Sequence, residues 1–327
     1  MNPTDPQPMA DNRRGGEIAR ALLDYAGMLA ALGLLIAVFS WRANNFFSVV
    51  TFQTIANQIP AAIIIATGMT YVLIVAGIDL SVGSVLGLCS CAMGVLMVQG
   101  QWPLGLAVAA ALAVGLACGL FNGWVSIRWG LPSFIVTLGM LEMARGGAHF
   151  IAKSQTQYIG SAVEPITQAA WFGLSPPFLL ALLIVVAAQL VLSRTLFGRY
   201  MIAIGTNEEA VRLSGINPRP IKLAVFVICG GLTALAAVIH TSRFQASDPN
   251  AGAGFELQAI AAAVIGGTSL MGGRGSVIRT FFGVLIIAVL NSGLAAVGAK
   301  DETKRLVTGL VIIIAVILDQ YRQRRRG

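Results

Sequence analysis

Long uninterrupted apolar stretches dominate this chain, and their lengths sort them. Runs at about 22–40, 55–76, 82–98, 104–127, 133–151, 177–193, 221–239, 277–297 and 304–320 approach the roughly 20 residues that a helix needs to cross a bilayer. A tenth run, Phe255–Ile265, has only half that length. It is followed by the glycine-rich stretch Gly266-Gly267-Thr268-Ser269-Leu270-Met271-Gly272-Gly273-Arg274-Gly275. The pattern predicts an all-α polytopic membrane protein with about ten membrane elements, one of them a broken, half-length helix. Irregular backbone at bilayer depth is tolerated only where it is buried in protein or lines a wet cavity. Broken helices of this kind point to a transport path.

Composition narrows the class. Only 11% of the residues are charged, against about 25% in a soluble domain. Residues 1–20 read as a polar cytoplasmic tail, and residues 21–327 as a single transmembrane domain. The net charge of +8 invites a nucleic-acid reading, but its placement argues for a membrane. Fifteen of the 22 Lys and Arg residues fall where they share one side: Arg13, Arg14, Arg20, Arg128, Arg194, Arg199, Arg212, Arg219, Lys222, Arg274, Arg279, Arg322, Arg324, Arg325 and Arg326. Six fall opposite, and Arg145 lies within a span. This positive-inside bias places both termini of a multi-pass membrane protein in the cytoplasm. It then follows by parity that the chain returns inward through 241–275, with the glycine-rich stretch at the inner side.

Cys89, Cys91, Cys118 and Cys229 all sit in apolar runs and read as small core residues, so no metal site is expected. Arg13-Arg14 is not followed by a small-residue cleavage site, which argues against a twin-arginine signal. Gly115, Gly119 and Gly123 form a four-residue stripe suited to close helix packing in lipid. A weak echo links Gly83-Ser84-Val85 to Gly275-Ser276-Val277 and Asn122 to Asn291, as an internal repeat would. Between the second and third runs, Gly77-Ile78-Asp79-Leu80-Ser81-Val82-Gly83 leaves almost no loop. Asp79 or Ser81 there can cap the next helix. A carboxylate so near the apolar zone is equally a functional candidate.

The longest interior loop, 194–220, contains a well-signalled short helix. Thr206 and Glu209 fit a capping box, and Glu208 and Glu209 suit the positive end of the helix dipole, with Arg212 at the other end. Gly215 supplies the C-cap and Pro218 prevents continuation. A helix this short needs a docking surface. Ala210, Val211 and Leu213 offer small and apolar side chains for one.

Several motifs, in order, resemble one family. They are Gly68-Met69-Thr70, Gly77 through Ser84, Pro132 through Met140, Ala144-Arg145-Gly146, Gly205-x-Asn207-x-x-Ala210 to Ser214-Gly215-Ile216, Glu256-Leu257, Ala261-Ala262, Gly266 through Leu270, and Gly272-Gly273-Arg274-Gly275-Ser276. Over about residues 45–320 the chain resembles the membrane permease subunit of ribose/xylose/arabinose-type ABC importers. The resemblance implies alternating access, a second permease copy, a separate cytoplasmic ATP-binding subunit and an extracellular or periplasmic solute-binding protein. It also implies that Asn207, Glu208, Glu209, Ala210, Val211, Arg212, Leu213, Ser214 and Gly215 form the ATPase-coupling segment. Asp79, Ser81, Gly83, Gly272 and Gly273 belong to its structural motifs. The chain departs from the family pattern at Gln258, where an Asp is usual, and at Arg279, where a Gly is usual.

No Gly-x-x-x-x-Gly-Lys-Ser/Thr loop occurs, so this chain is not expected to bind ATP by that route or to carry a cofactor. An ion-coupled carrier would bury carboxylates or histidines in its spans. Here Glu142 and Arg145, three apart on one helix, are expected to pair with each other. A membrane enzyme would need a convergent nucleophile, base or metal set, which two histidines do not supply. The candidate path residues are polar ones in apolar runs: Asn57 and Gln58 beside helix-kinking Pro60, then Glu256, Gln258 and Asn122, with Gln53 and Asn291. Uncharged amides suit a hydroxylated solute. Pentose, hexose, polyol, nucleoside and autoinducer-type solutes all remain open at this stage.

Overall fold

The computed structural model describes residues 9–167 and 171–324. Helix α1 spans Met9–Arg42, so the part of the expected tail from Met9 onward is helical. A bent pair follows, α2 (Val49–Gln58) and α3 (Pro60–Ile74). Then come α4 (Val82–Val98), α5 (Leu104–Trp129), α6 (Ser133–Ile151), α7 (Pro176–Arg194), α8 (Leu196–Thr206), α9 (Glu208–Leu213) and α10 (Arg219–Phe244). The last three are α11 (Phe255–Ile265), α12 (Val277–Ala296) and α13 (Asp301–Arg324). A two-residue ribbon pairs β1 (Gln157–Tyr158) with β2 (Ala246–Ser247), tying the α6–α7 connection to the α10–α11 connection.

All ten apolar runs are helical. Among the described residues, five helices are long and apolar enough to cross a membrane, or six when the α2–α3 pair counts as one broken span. Helices α4, α6, α11 and α13 carry the remaining runs. The bend between α2 and α3 is 50° and falls at Ile59-Pro60. Proline there donates no backbone hydrogen bond and clashes with the preceding turn, which breaks the ladder.

Helix α3 sits at the centre. Every residue from Pro60 to Ile74 except Ala62 is buried, because α7, α10, α11 and α12 pack around it. A helix that is apolar on all sides is stable only in such a place. Helices α5, α6 and α7 lie outside and turn Leu116, Leu120, Phe121, Phe134, Leu138, Leu183 and Leu190 outward. The glycine stripe of α5 faces α10, as its spacing predicts. A Cβ at Gly115 would stand 2.5 Å from the Gly230 carbonyl oxygen, and one at Gly123 would stand 2.9 Å from the Leu223 side chain.

Helix α11 is short because glycines bound it. Gly254 precedes it at φ 88°. At its other end Thr268 N–H donates to the Ala263 carbonyl at 2.9 Å and Gly267 N–H to Val264 at 2.8 Å. That is a Schellman ending, with Gly267 left-handed at φ 78°. Helix α12 then restarts under an unusual cap. The Gln189 side-chain carbonyl of α7 accepts from Val277 N–H at 2.9 Å and Ile278 N–H at 3.3 Å, and from the Ser276 hydroxyl.

Two local expectations fail. Arg145 does not pair with Glu142; its guanidinium donates to the carbonyls of Pro249 and Ala251, which the α10–α11 connection brings within reach. The capping box is also displaced by one residue. Thr206 ends α8, its hydroxyl donating to Ile202, and Asn207 caps α9 by accepting from Ala210 N–H at 2.9 Å.

Candidate functional site

A cavity of about 530 Å³ opens at the break in the α2–α3 span. Its walls come from the α2–α3 junction, the end of α10, the start of α11 and the last turns of α12. Asn57 and Gln58 line it together with Gln258 and Asn291, which lie far from them in sequence. The Asn57 amide is also a tether. Its Nδ2 donates to the Gly173 carbonyl at 2.9 Å, and its Oδ1 accepts from Ser175 N–H at 2.8 Å. Asn291 accepts from the Thr308 hydroxyl at 3.3 Å. The Gln258 side chain makes no hydrogen bond among the described residues, and it lines the cavity.

Sequence reading missed the α10 contribution to this wall. His240, Arg243 and Phe244 face the cavity with Phe255. The His240 ring lies 4.7 Å from Phe244 and 5.9 Å from Phe255, centroid to centroid. Arg243 donates to the Gln58 carbonyl at 3.1 Å, satisfying an acceptor that the broken helix leaves without its usual partner. Helical spacing sets His240, Arg243 and Phe244 on one face of α10, and tertiary folding brings Phe255 to them.

Glu256 and Asn122 do not line this cavity. Glu256 turns toward α4, where its carboxylate lies over Gly83, and it accepts from Gly254 N–H at 3.1 Å. Any side chain at Gly83 would collide with that carboxylate. Asn122 joins a chain of hydrogen bonds instead. Its Nδ2 donates to the Ser81 hydroxyl at 3.0 Å, and Ser81 donates from hydroxyl and backbone to Asp79 Oδ1 at 2.6 and 2.9 Å. Asp79, Ser81 and Asn122 are all buried. From α6, Ser133 accepts from Ile78 N–H and Thr137 from Leu80 N–H. Asp79 and Ser81 therefore fix the tight α3–α4 connection to α5, Ser133 and Thr137 fix it to α6, and neither the Asp79 nor the Ser81 side chain caps α4.

The second feature is the α8–α9 hairpin. Helix α9 ends in a second Schellman motif, with Ile216 N–H donating to Val211, Gly215 N–H to Arg212, and Gly215 at φ 81°. Glu209 and Arg212 pair at 2.7 Å, and Glu208 and Lys222 pair at 2.9 Å. Val211 is buried and holds α9 to the bundle, so it does not face outward as its apolar character suggested. Ala210 and Leu213 do face outward, Leu213 with 80% of its surface exposed.

Glycines join this hairpin to the bundle. Gly205, in the last turn of α8, lies against the Ile74 carbonyl at the end of α3 and against the Gly273 backbone. Gly273 N–H donates to the same Ile74 carbonyl at 2.9 Å. Gly272 and Gly273 adopt left-handed φ of 87° and 74°, and side chains there would meet Ala76 and Thr206. Three backbone segments thus meet without intervening side chains: the glycine-rich stretch, the end of α3 and the root of α9.

Residues 51–316 match the family described as the branched-chain amino acid transport system / permease component. The chain belongs to this permease family. It is a transport permease and not an enzyme. The permease is 39% identical over 301 residues to the ribose import permease protein RbsC of Escherichia coli, covering 90% of this chain and 93% of that one. It is 34% identical to the fructose import permease protein FrcC of Rhizobium meliloti, over 89% of this chain and 85% of that one. It is 33% identical to the xylose transport system permease protein XylH of Escherichia coli, over 91% and 92%. No solved structure matches.

Proposed function

We propose that the permease is the membrane-spanning subunit of an ATP-driven ABC importer that moves a monosaccharide or a closely similar polar solute into the cytoplasm. The observation that carries the reading is the cavity at the broken α2–α3 span. Its polar lining is mostly uncharged, with Asn57, Gln58, Gln258 and Asn291 offering both donors and acceptors. Phe244 and Phe255 supply flat apolar faces for the C–H side of a sugar ring. Relatives named for ribose, xylose and fructose import support the solute class.

The proposed cycle follows from the contacts. A cytoplasmic ATP-binding subunit docks on α9 through Ala210 and Leu213, with Asn207, Glu208, Glu209, Arg212, Ser214 and Gly215 shaping the helix. ATP is bound by that partner. Movement of α9 is passed through Gly205 to Ile74 and Gly273, and so to α3, whose far end forms the cavity wall. Rocking of α3 about the Pro60 break opens and closes the path. A soluble binding protein delivers the solute on the outer side, and a second permease copy completes the assembly in the bacterial inner membrane. Both termini face the cytoplasm.

The test is reconstitution in liposomes with the ATP-binding subunit and the solute-binding protein. ATP-dependent uptake of a labelled pentose or hexose is expected, with neighbouring sugars competing. Uptake driven by an ion gradient without ATP would refute the reading. Uptake of a nucleoside or polyol, with every monosaccharide excluded, would keep the importer and replace the solute.

A further inference from the structure

A second cavity, of about 760 Å³, lies behind α9, between the α5–α6 turn, the α3–α4 connection and the start of α10. It is separate from the proposed path. Arg212, Arg219 and Lys222 line it against one carboxylate, Glu208. Lys222 bridges to Glu208 and Arg212 to Glu209. The Arg219 guanidinium makes no hydrogen bond or ion pair among the described residues; only its backbone N–H is engaged, with Asn217. Helix α10 begins at Arg219, so the positive end of its dipole faces the same space. Ser126 also belongs to the lining; it is 8% exposed and its hydroxyl has no partner. Surplus cations, a helix N-terminus and an unpaired buried hydroxyl together select an anion with several acceptor oxygens, which a phosphate group provides.

The surroundings point to where that phosphate comes from. The cavity rim includes Gly130, Leu131 and Pro132. Leu131 in the rim is 44% exposed, and Trp124, Trp129 and Phe134 nearby in the chain are 50%, 59% and 47% exposed. Trp124 and Trp129 pack edge to face at 5.2 Å, and Arg128 lies over Trp129. Tryptophans flanked by arginine mark the level of lipid headgroups. Basic pockets at that level on the cytoplasmic side take anionic headgroups.

We propose that this cavity binds the phosphate of an anionic phospholipid of the cytoplasmic leaflet. Arg219, Lys222 and Ser126 hold the headgroup, and the acyl chains lie along Trp129, Leu131 and Phe134. The assignment rests on the inward orientation of α9 given above. A headgroup in this place would brace α9 from behind while its outer face stays open to a partner.

The test uses the full chain in nanodiscs of phosphatidylcholine with a minority of phosphatidylglycerol, and native mass spectrometry of the lipids that remain bound on release. Wild type should retain phosphatidylglycerol several-fold above its bulk share. The double variant Arg219→Gln/Lys222→Gln should lose that enrichment, whereas Arg194→Gln, outside the cavity, should keep it. The charge-conserving pair Arg219→Lys/Lys222→Arg should also keep it, which holds the test open if the neutral variant folds poorly. No enrichment in wild type, or equal enrichment in the neutral double variant, overturns the proposal. So does thermal stabilisation of wild type by inorganic phosphate in pure phosphatidylcholine discs without phosphatidylglycerol enrichment, because the source is then a soluble anion. Uptake is not measured, so failure here is distinct from failure of the transport reading.

Discussion

One methyl group added at Gly205 separates a force-bearing joint from ordinary helix contact. The Cβ of Gly205→Ala would overlap the Ile74 carbonyl oxygen and the Gly273 nitrogen, both backbone atoms that no rotamer change can remove. Ordinary contact begins at 3.4 Å, so α8 must move off α3 and the glycine-rich stretch. Overpacking of this kind costs about 1–3 kcal/mol. Gly205 does not lie in the left-handed region, so alanine by itself should favour the helix by about 0.5–1 kcal/mol. The net penalty of up to about 2.5 kcal/mol, carried by coupling, corresponds to as much as about 70-fold in the relevant equilibrium. The assay is initial uptake and ATP hydrolysis in proteoliposomes, with co-purification of the ATP-binding subunit as the control for assembly. Uptake per ATP should fall while assembly persists. Gly146→Ala is the companion variant: nothing lies within 4 Å of its Cβ, and uptake should be unchanged. Wild-type uptake per ATP in Gly205→Ala would refute the joint.

Three further outcomes are expected. Leu213→Glu places a charge on the exposed face of α9 and should abolish co-purification of the ATP-binding subunit with no change in thermal stability, read by pull-down and melting. Gln258→Leu removes an amide that makes no internal hydrogen bond, so it should cut uptake at least several-fold and leave ATPase assembly and stability intact; unchanged uptake removes Gln258 from the path. Gln189→Leu should destabilise the protein by about 1–3 kcal/mol in denaturant melts, because the first N–H groups of α12 lose their acceptor.

Much of the helical framework was legible because hydropathy alone marks segments that must satisfy every backbone group internally. Pro60 announced the bend, and Gly266-Gly267 announced the end of α11, since both act through local backbone chemistry. The glycine stripe of α5 was legible for the same reason. What was not legible depended on distant chain. Gln189 reads as a lone amide in an apolar run until α12 is placed beside it. Arg145 has an acid three residues away, yet the carbonyls of Pro249 and Ala251 lie closer. Asn57, Gln58 and Gln258 are polar exceptions that share one cavity, but the same rule also selects Glu256, which accepts from Gly254 at the start of its own helix, and Asn122, which ties α5 to the α3–α4 connection. Polarity in an apolar run marks a residue with a task, and only tertiary placement distinguishes a knot from a lining. Thr206 and Asn207 are both good caps, and one residue of extra length in α8 decided between them.

The seam between α5 and α10 carries a consequence for movement. Gly115 and Gly119 of one helix and Gly230 of the other interlock so closely that each backbone fills the notch left in its neighbour. Two rods keyed together in this way cannot shear past each other, so they travel as a single plank. Conformational freedom is left to the α2–α3 elbow and the glycine hub beneath it, and a search for gating mutants belongs there.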